Sequence, residues 1–296
     1  MLHIRIKWII IGIIILGCLL AILYWAYPKE PILTIYLSRE KRTVRIPLER
    51  YVAGVVAAEM PSCFAMEALK AQAVIARTYA LKNRNISKHN NVADLCDDPA
   101  HCQAYKSLDA DVNLGVKVKA WTAALSTKGQ VIVYRGHLAE AVYHSTCGGH
   151  TENASWVWQS EVPYLKGVPC HTDKHSPFYR QTIQLPKKSL MGLLKLDPAK
   201  PLNPKITERT PSGRAYEVSL GGNSYKAVYL RKVLNLPSTY FEVEEKEDAL
   251  VFGVKGWGHG VGLCQYGADG LARSGFDYIQ ILQYYYPGID VYKFRY

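Results

Sequence analysis

Residues 8–27 read WIIIGIIILGCLLAILYWAY, an uncharged and mostly apolar run. At about 1.5 Å rise per residue, roughly 20 residues cross the hydrocarbon layer of a bilayer. Arg5 and Lys7 precede the run, and Tyr24, Trp25 and Tyr27 stand at its far end. A cleaved signal peptide has a shorter apolar core and a small-residue cleavage site. This pattern instead predicts an uncleaved transmembrane helix over 8–27. The flanking charges place residues 1–7 in the cytoplasm and everything from Pro28 onward outside it. That location excludes most nucleic-acid roles for the net charge of +11. It leaves an anionic wall polymer, anionic headgroups or an acidic protein as partners, or charge that merely keeps the chain soluble.

Past the anchor, residues 31–47 alternate in period two around the turn REKR, which predicts a hairpin. The spacing then becomes helical in LERYVAGVVAAEM and stops at Pro61. Ser62 stands where it could cap a second helix over 66–82, whose stripe of Leu69, Ala73, Ala76 and Ala80 allows close packing. Residues 84–105 are a polar loop, and a helix is predicted over 112–126. Hairpins are predicted to turn at Arg135-Gly136 and Gly221-Gly222. The expected fold class is α+β. A catalytic core over 28–181 carries a smaller β-rich subdomain over 182–250, and 251–296, a Gly-rich loop and helix, completes the core. An open groove for a polymer is expected on this body.

Four constellations could carry chemistry. Glu59 ends an apolar helix just before a proline break. Burial raises a carboxyl pKa, and the negative end of a helix dipole pushes it the same way, as a general acid needs. Lys70 and Arg77 lie seven residues apart, on one helical face, and could hold a substrate oxygen or simply meet solvent. Cys96, His101 and Cys102 offer three soft ligands for a closed, structural Zn²⁺ site, with His89 the simplest fourth. A Cys96–Cys102 disulfide is the rival. Tyr143-His144-Ser145-Thr146-Cys147-Gly148-Gly149-His150 reads as cleft wall, with Cys147 and Cys170 able to pair as a disulfide. Gly256-Trp257-Gly258-His259-Gly260 and Gln265 lack phosphate-binding patterns and suit a sugar-stacking, hydrogen-bonding surface.

These motifs together resemble the stage II sporulation protein D family. The resemblance runs from Ile32 to Tyr296. It rests on YVAGVVAAEMP (51–61), EALKAQA (67–73), ARTY (76–79), the stretch 144–151 and the stretch 256–267. The family consists of membrane-anchored lytic transglycosylases of endospore formers. They cleave the β-1,4 bond between N-acetylmuramic acid and N-acetylglucosamine in glycans freed of stem peptides by a partner amidase, during engulfment.

The resemblance implies Glu59 as the catalytic acid, with Lys70 and Arg77 at positions important for activity. Tyr143, His144, Ser145, Trp257, His259 and Gln265 are the expected substrate contacts. It also implies one structural zinc of the clostridial type, held by Cys96, His101 and Cys102. His89 aligns as the fourth ligand if the loop differs by one residue. Expected partners are glycan strands, a cell-wall amidase and membrane proteins of engulfment, with no nucleic acid. The expected location is the cell membrane, facing the space between mother cell and forespore. The competing function is an inert peptidoglycan-binding scaffold that localises an amidase.

Overall fold

The computed structural model describes Gly17 and residues 29–84, 92–109 and 112–296. Apart from Gly17, the apolar run 8–27 lies outside the described residues, as does His89. Among the described residues no helix is long and apolar enough to cross a membrane.

Strands β1 (Ile32–Leu37) and β2 (Arg42–Pro47) form the expected antiparallel hairpin. The short β3 (Leu95–Cys96) adds to β1 in parallel, inside a stretch whose sequence reads only as loop. Helix α1 (Leu48–Glu59) follows β2 directly. It ends because Met60, the residue before Pro61, is extended (φ −115, ψ 131), as steric conflict with a following proline demands. Helix α2 (Met66–Asn83) is the central element. Its small-residue stripe is buried, with Ala73, Ala76 and Ala80 wholly inaccessible. Ser62 does not cap it. The cap position is Ala65, whose N–H donates to the buried Asp269 Oδ1 at 2.7 Å.

Around α2 pack α1, α3 (Leu114–Ser126), the strand β4 (Gln130–Tyr134) and two late helices. Asn113 caps α3 by accepting from Gly115 N at 2.9 Å. β4 pairs with β5 (His137–Leu138) across Arg135 and Gly136, both at positive φ, the turn that suits a two-residue hairpin. Next come β6 (Tyr143–His144) and the one-turn α4 (Ala154–Trp158). The chain then leaves the first hydrophobic core.

A second core gathers Leu190, Val218, Leu230, Phe241, Phe252 and neighbours. It lies among β7 (Arg180–Pro186), α5 (Lys187–Leu194), β8 (Lys205–Arg209), β9 (Ala215–Leu220), β10 (Asn223–Lys226), α6 (Ala227–Val233), β11 (Phe241–Glu245) and β12 (Ala249–Lys255). Its strands make two three-stranded antiparallel sheets, ordered β10-β9-β8 and β11-β12-β7. Gly221 and Gly222 form the expected β9–β10 turn. The chain returns to the first core through β13 (Leu263–Cys264), which pairs in parallel with β6. Helices α7 (Gln265–Arg273) and α8 (Tyr278–Tyr285) and strand β14 (Asp290–Lys293) complete that core, β14 pairing with β4. The class is α+β.

One glycine decides how closely the 102–106 loop can approach α1. A Cβ on Gly54 would lie 2.3 Å from the Tyr105 ring and 2.7 Å from the Lys106 carbonyl oxygen. Tyr105 stacks on Tyr51 there, with ring centroids 5.5 Å apart. Gly54→Ala is expected to cost about 1–3 kcal/mol through overpacking. Chemical denaturation of the variant beside the wild type checks this.

Candidate active site

The end of α1, the 99–103 loop, β6 and the Gly-rich turn before β13 enclose a cleft of ≈ 340 Å³. Glu59 lies on its wall with Tyr143, His144, Ser145, Trp257, His259 and Gln265, so these sequence-selected residues come together. Tyr79, from the ARTY motif, joins them, as do Gln103 and Arg231, which no sequence motif singled out. Arg231 arrives from α6 of the second core, which no local pattern near Glu59 could announce.

Glu59 Oε1 accepts two hydrogen bonds, from Ala104 N at 2.8 Å and from Tyr143 Oη at 2.9 Å. Burial pushes the Glu59 carboxyl above the ordinary range, and hydrogen bonds from Ala104, Tyr143 and Gln265 only partly offset this. Oε1 is thus held by two donors, while Oε2 is not engaged by either of them. Ala104 lies two residues beyond Cys102, so the cysteine loop itself presents a donor to the acid. No other Asp or Glu lines the cleft among the described residues.

The two histidines have different jobs. His144 Nδ1 is 3.1 Å from the Val261 carbonyl oxygen and must donate to it. Its buried Nε2 is then a bare acceptor without a partner among the described residues. His259 Nδ1 accepts from Val261 N at 3.0 Å, which fixes the opposite tautomer. Burial, reinforced by Arg231, pulls His259 down to about 4, and burial lowers His144 as well, so both rings are neutral at physiological pH. Trp257 is half exposed, and Trp158 stands 5.0 Å from the His259 ring. Together they give the cleft flat apolar surface beside hydrogen-bonding groups.

Two expected substrate contacts are placed elsewhere. Arg77 is fully buried and cannot reach a ligand. Its Nε and Nη2 form a fork on Glu49 at 2.9 and 2.5 Å, and further N–H groups donate to the Ala124 and Gln130 carbonyls at 3.0 and 2.9 Å. Tyr296 also donates to Glu49. Lys70 does not line the cleft. It pairs with Glu67 at 2.6 Å and lies 5.8 Å from the centre of the Tyr278 ring at the start of α8. Helical spacing put both on one side of α2, but that side faces packed elements instead of the groove.

The donor atoms of Cys96, His101 and Cys102 lie within 4.8 Å of one another. His101 Nδ1 is 3.5 Å from each sulfur. This soft S₂N set fits three ligands of a tetrahedral zinc centre. No disulfide joins Cys96 to Cys102, or Cys147 to Cys170. Cys147 turns away from the cleft and is buried with Cys170, Asp173 and Cys264.

The cleft holds a single carboxyl among the described residues and is built where two cores meet. Residues 36–134 match the family model described as stage II sporulation protein, SpoIID. The chain is 37% identical over 267 residues to the stage II sporulation protein D of Bacillus subtilis (strain 168), covering 87% of this chain and 78% of that protein. It is 36% identical over 268 residues to the stage II sporulation protein D of Bacillus amyloliquefaciens, covering 87% and 77%. The amidase enhancer of Bacillus subtilis (strain 168) is 30% identical over 295 residues, covering 79% of this chain and 39% of that protein. The chain belongs to the stage II sporulation protein D family.

Proposed function

We propose that this protein is a lytic transglycosylase of sporulation that cleaves the N-acetylmuramic acid-β-1,4-N-acetylglucosamine bond of glycan strands, leaving 1,6-anhydro ends. The observation that carries the reading is Glu59, a carboxyl with a raised pKa standing alone in the cleft. A hydrolysing glycosidase normally needs two carboxylates, one of them to activate water or to attack the sugar. A transglycosylase needs one. Glu59 protonates the leaving glycosidic oxygen. As carboxylate it then accepts the proton of the sugar's own C6 hydroxyl, which closes on the anomeric carbon. Trp257 offers a stacking face, His144 Nε2 accepts from a sugar hydroxyl or amide, and Arg231 supplies positive charge for a substrate carboxylate. A lactyl carboxylate is free only where the stem peptide has been removed, which agrees with a preference for stripped glycans.

The Cys96, His101 and Cys102 cluster would hold a structural zinc that supplies no chemistry to the bond. Its role is to fix the loop carrying Gln103 and Ala104 against Glu59. Exchanging Cys96 and Cys102 for Ser is expected to lower turnover about 10²-fold, the scale of a 1 Å misplacement, with the products unchanged. Rates and product analysis on the folded variant check this. We place the chain at the cell membrane through residues 8–27, acting outside the cytoplasm during engulfment.

A second reading is favoured by the likeness to the amidase enhancer: a wall-binding protein that localises an amidase. The two separate on stripped glycan strands incubated with the protein. Release of short fragments supports the enzyme, and binding without release supports the scaffold. Peptide-bearing strands run in parallel test the substrate preference.

A further inference from the structure

A second group of metal-type donors lies behind the cleft. Cys147 follows β6, Cys170 and Asp173 lie in the loop before β7, and Cys264 ends β13. Their donor atoms all fall within 4.8 Å of one another. All four residues are shut away from solvent: Cys147, Cys264 and Asp173 at 0% exposure and Cys170 at 2%. We propose that Cys147, Cys170, Cys264 and Asp173 form a closed structural zinc site, separate from the Cys96 loop.

The surroundings suit a metal better than they suit free thiols or a disulfide. Three thiols cannot pair off. A disulfide between any two would strand the third beside a buried carboxylate. Asp173 uses Oδ2 fully, accepting from Gly148 N at 2.8 Å and from the Cys147 thiol at 3.1 Å. Its Oδ1 is buried and has no hydrogen-bond partner among the described residues. An orphan carboxylate oxygen at this depth costs roughly 1–3 kcal/mol or more unless something binds it. A cation supplies that partner. Cys264 Sγ accepts from two backbone N–H groups, those of Cys147 and Gly267, each at 3.3 Å, which orient the sulfur within the cluster.

The geometry is closed and crowded. A Cβ on Gly267 would come 2.4 Å from Cys170 Sγ and 2.2 Å from Tyr285 Oη, so a larger residue could not stand beside the cluster. Mutual separations below 4.8 Å agree with tetrahedral ligands at Zn–S of about 2.3 Å. Three thiolates and a carboxylate around Zn²⁺ leave two negative charges. Arg214, fully buried, donates Nη2 to the Cys147 carbonyl at 2.6 Å and offsets one of them. Binding expels the thiol protons to solvent and changes no oxidation state. The site would clamp three segments, the Cys170–Asp173 loop and two others that lead into the cleft: Tyr143–Ser145 lies just before Cys147, and Gln265 just after Cys264. Both cleft walls are therefore tied to it.

The test is metal content of the purified full-length chain, by elemental mass spectrometry, in wild type and in the Cys96→Ser/Cys102→Ser variant. The expected result is about one equivalent of zinc retained in the variant, lost again on adding Cys170→Ser. Cobalt loaded into the double variant should give sulfur-to-metal charge-transfer absorption and tetrahedral d–d bands. If the double variant does not fold, Cys170→Ser in the otherwise wild-type chain decides: loss of about one equivalent of zinc supports the site, and an unchanged zinc content overturns it. A metal-free folded double variant, or a disulfide among Cys147, Cys170 and Cys264 in non-reducing peptide maps, also overturns it.

Discussion

Glu59→Gln is expected to abolish glycan cleavage, by about 10²–10⁴-fold or more, the range for loss of a general acid. The amide keeps Oε1, so Ala104 N and the Tyr143 hydroxyl retain their acceptor. What disappears is the transferable proton. Stability should move the opposite way. Burial raises the folded-state pKa of Glu59 above its unfolded value. A carboxyl shifted in that direction contributes stability that is fully present below the unfolded pKa and is lost as pH rises through the folded one. At pH 8 the wild type therefore carries a poorly solvated carboxylate that Glu59→Gln lacks. The variant should melt no lower than wild type there, and any advantage should shrink as the solution is made acidic. Wild-type activity should fall over the same alkaline limb, since the acid must be protonated in the free enzyme. Thermal melts and kcat/KM across pH check both. A variant that loses turnover only because it unfolds would contradict the assignment.

Arg77→Ala is expected to cost about 3–5 kcal/mol, the price of breaking a buried ion pair by removing one partner. Glu49 would be left charged inside the core, and the Ala124 and Gln130 carbonyls would lose their donors. Against a total stability of roughly 5–15 kcal/mol, much of the protein would be unfolded. Arg77→Lys should rescue little, because a single ammonium cannot reproduce the fork on Glu49. Glu49→Gln combined with Arg77→Met should recover much of the fold, since no uncompensated charge remains. Denaturant melts separate this account from the substrate-binding one. A well-folded Arg77→Ala protein with a raised KM would overturn the buried role.

The parts of the molecule that local patterns describe were readable in advance. Period-two alternation marked β1 and β2, the proline break marked the end of α1, and the positions of Gly221 and Gly222 marked a turn. Glu59 stood out because an apolar helix ending in a carboxylate is an electrostatic conflict. What sequence spacing could not supply was direction in three dimensions. Lys70 and Arg77 share a side of α2, yet only packing decides that this side meets α1, α3 and α8 instead of the cleft. Ser62 looked like a cap, but Asp269, far along the chain, takes that place. Arg231 and Gln103 reach the cleft through long-range contacts that leave no periodic trace. The Cys147 cluster draws on positions spread from 147 to 264, so no short motif announces it. Its cysteines read as cleft wall or disulfide until their separations were known.

The most direct measurement of the central claim is digestion of stripped glycan strands in water enriched in ¹⁸O, followed by mass spectrometry of the products. The account gives 1,6-anhydro ends that carry no ¹⁸O and are absent with Glu59→Gln. Reducing ends that have gained a labelled water would contradict it, because a second group would then be activating solvent in a cleft where Glu59 is the lone carboxyl among the described residues.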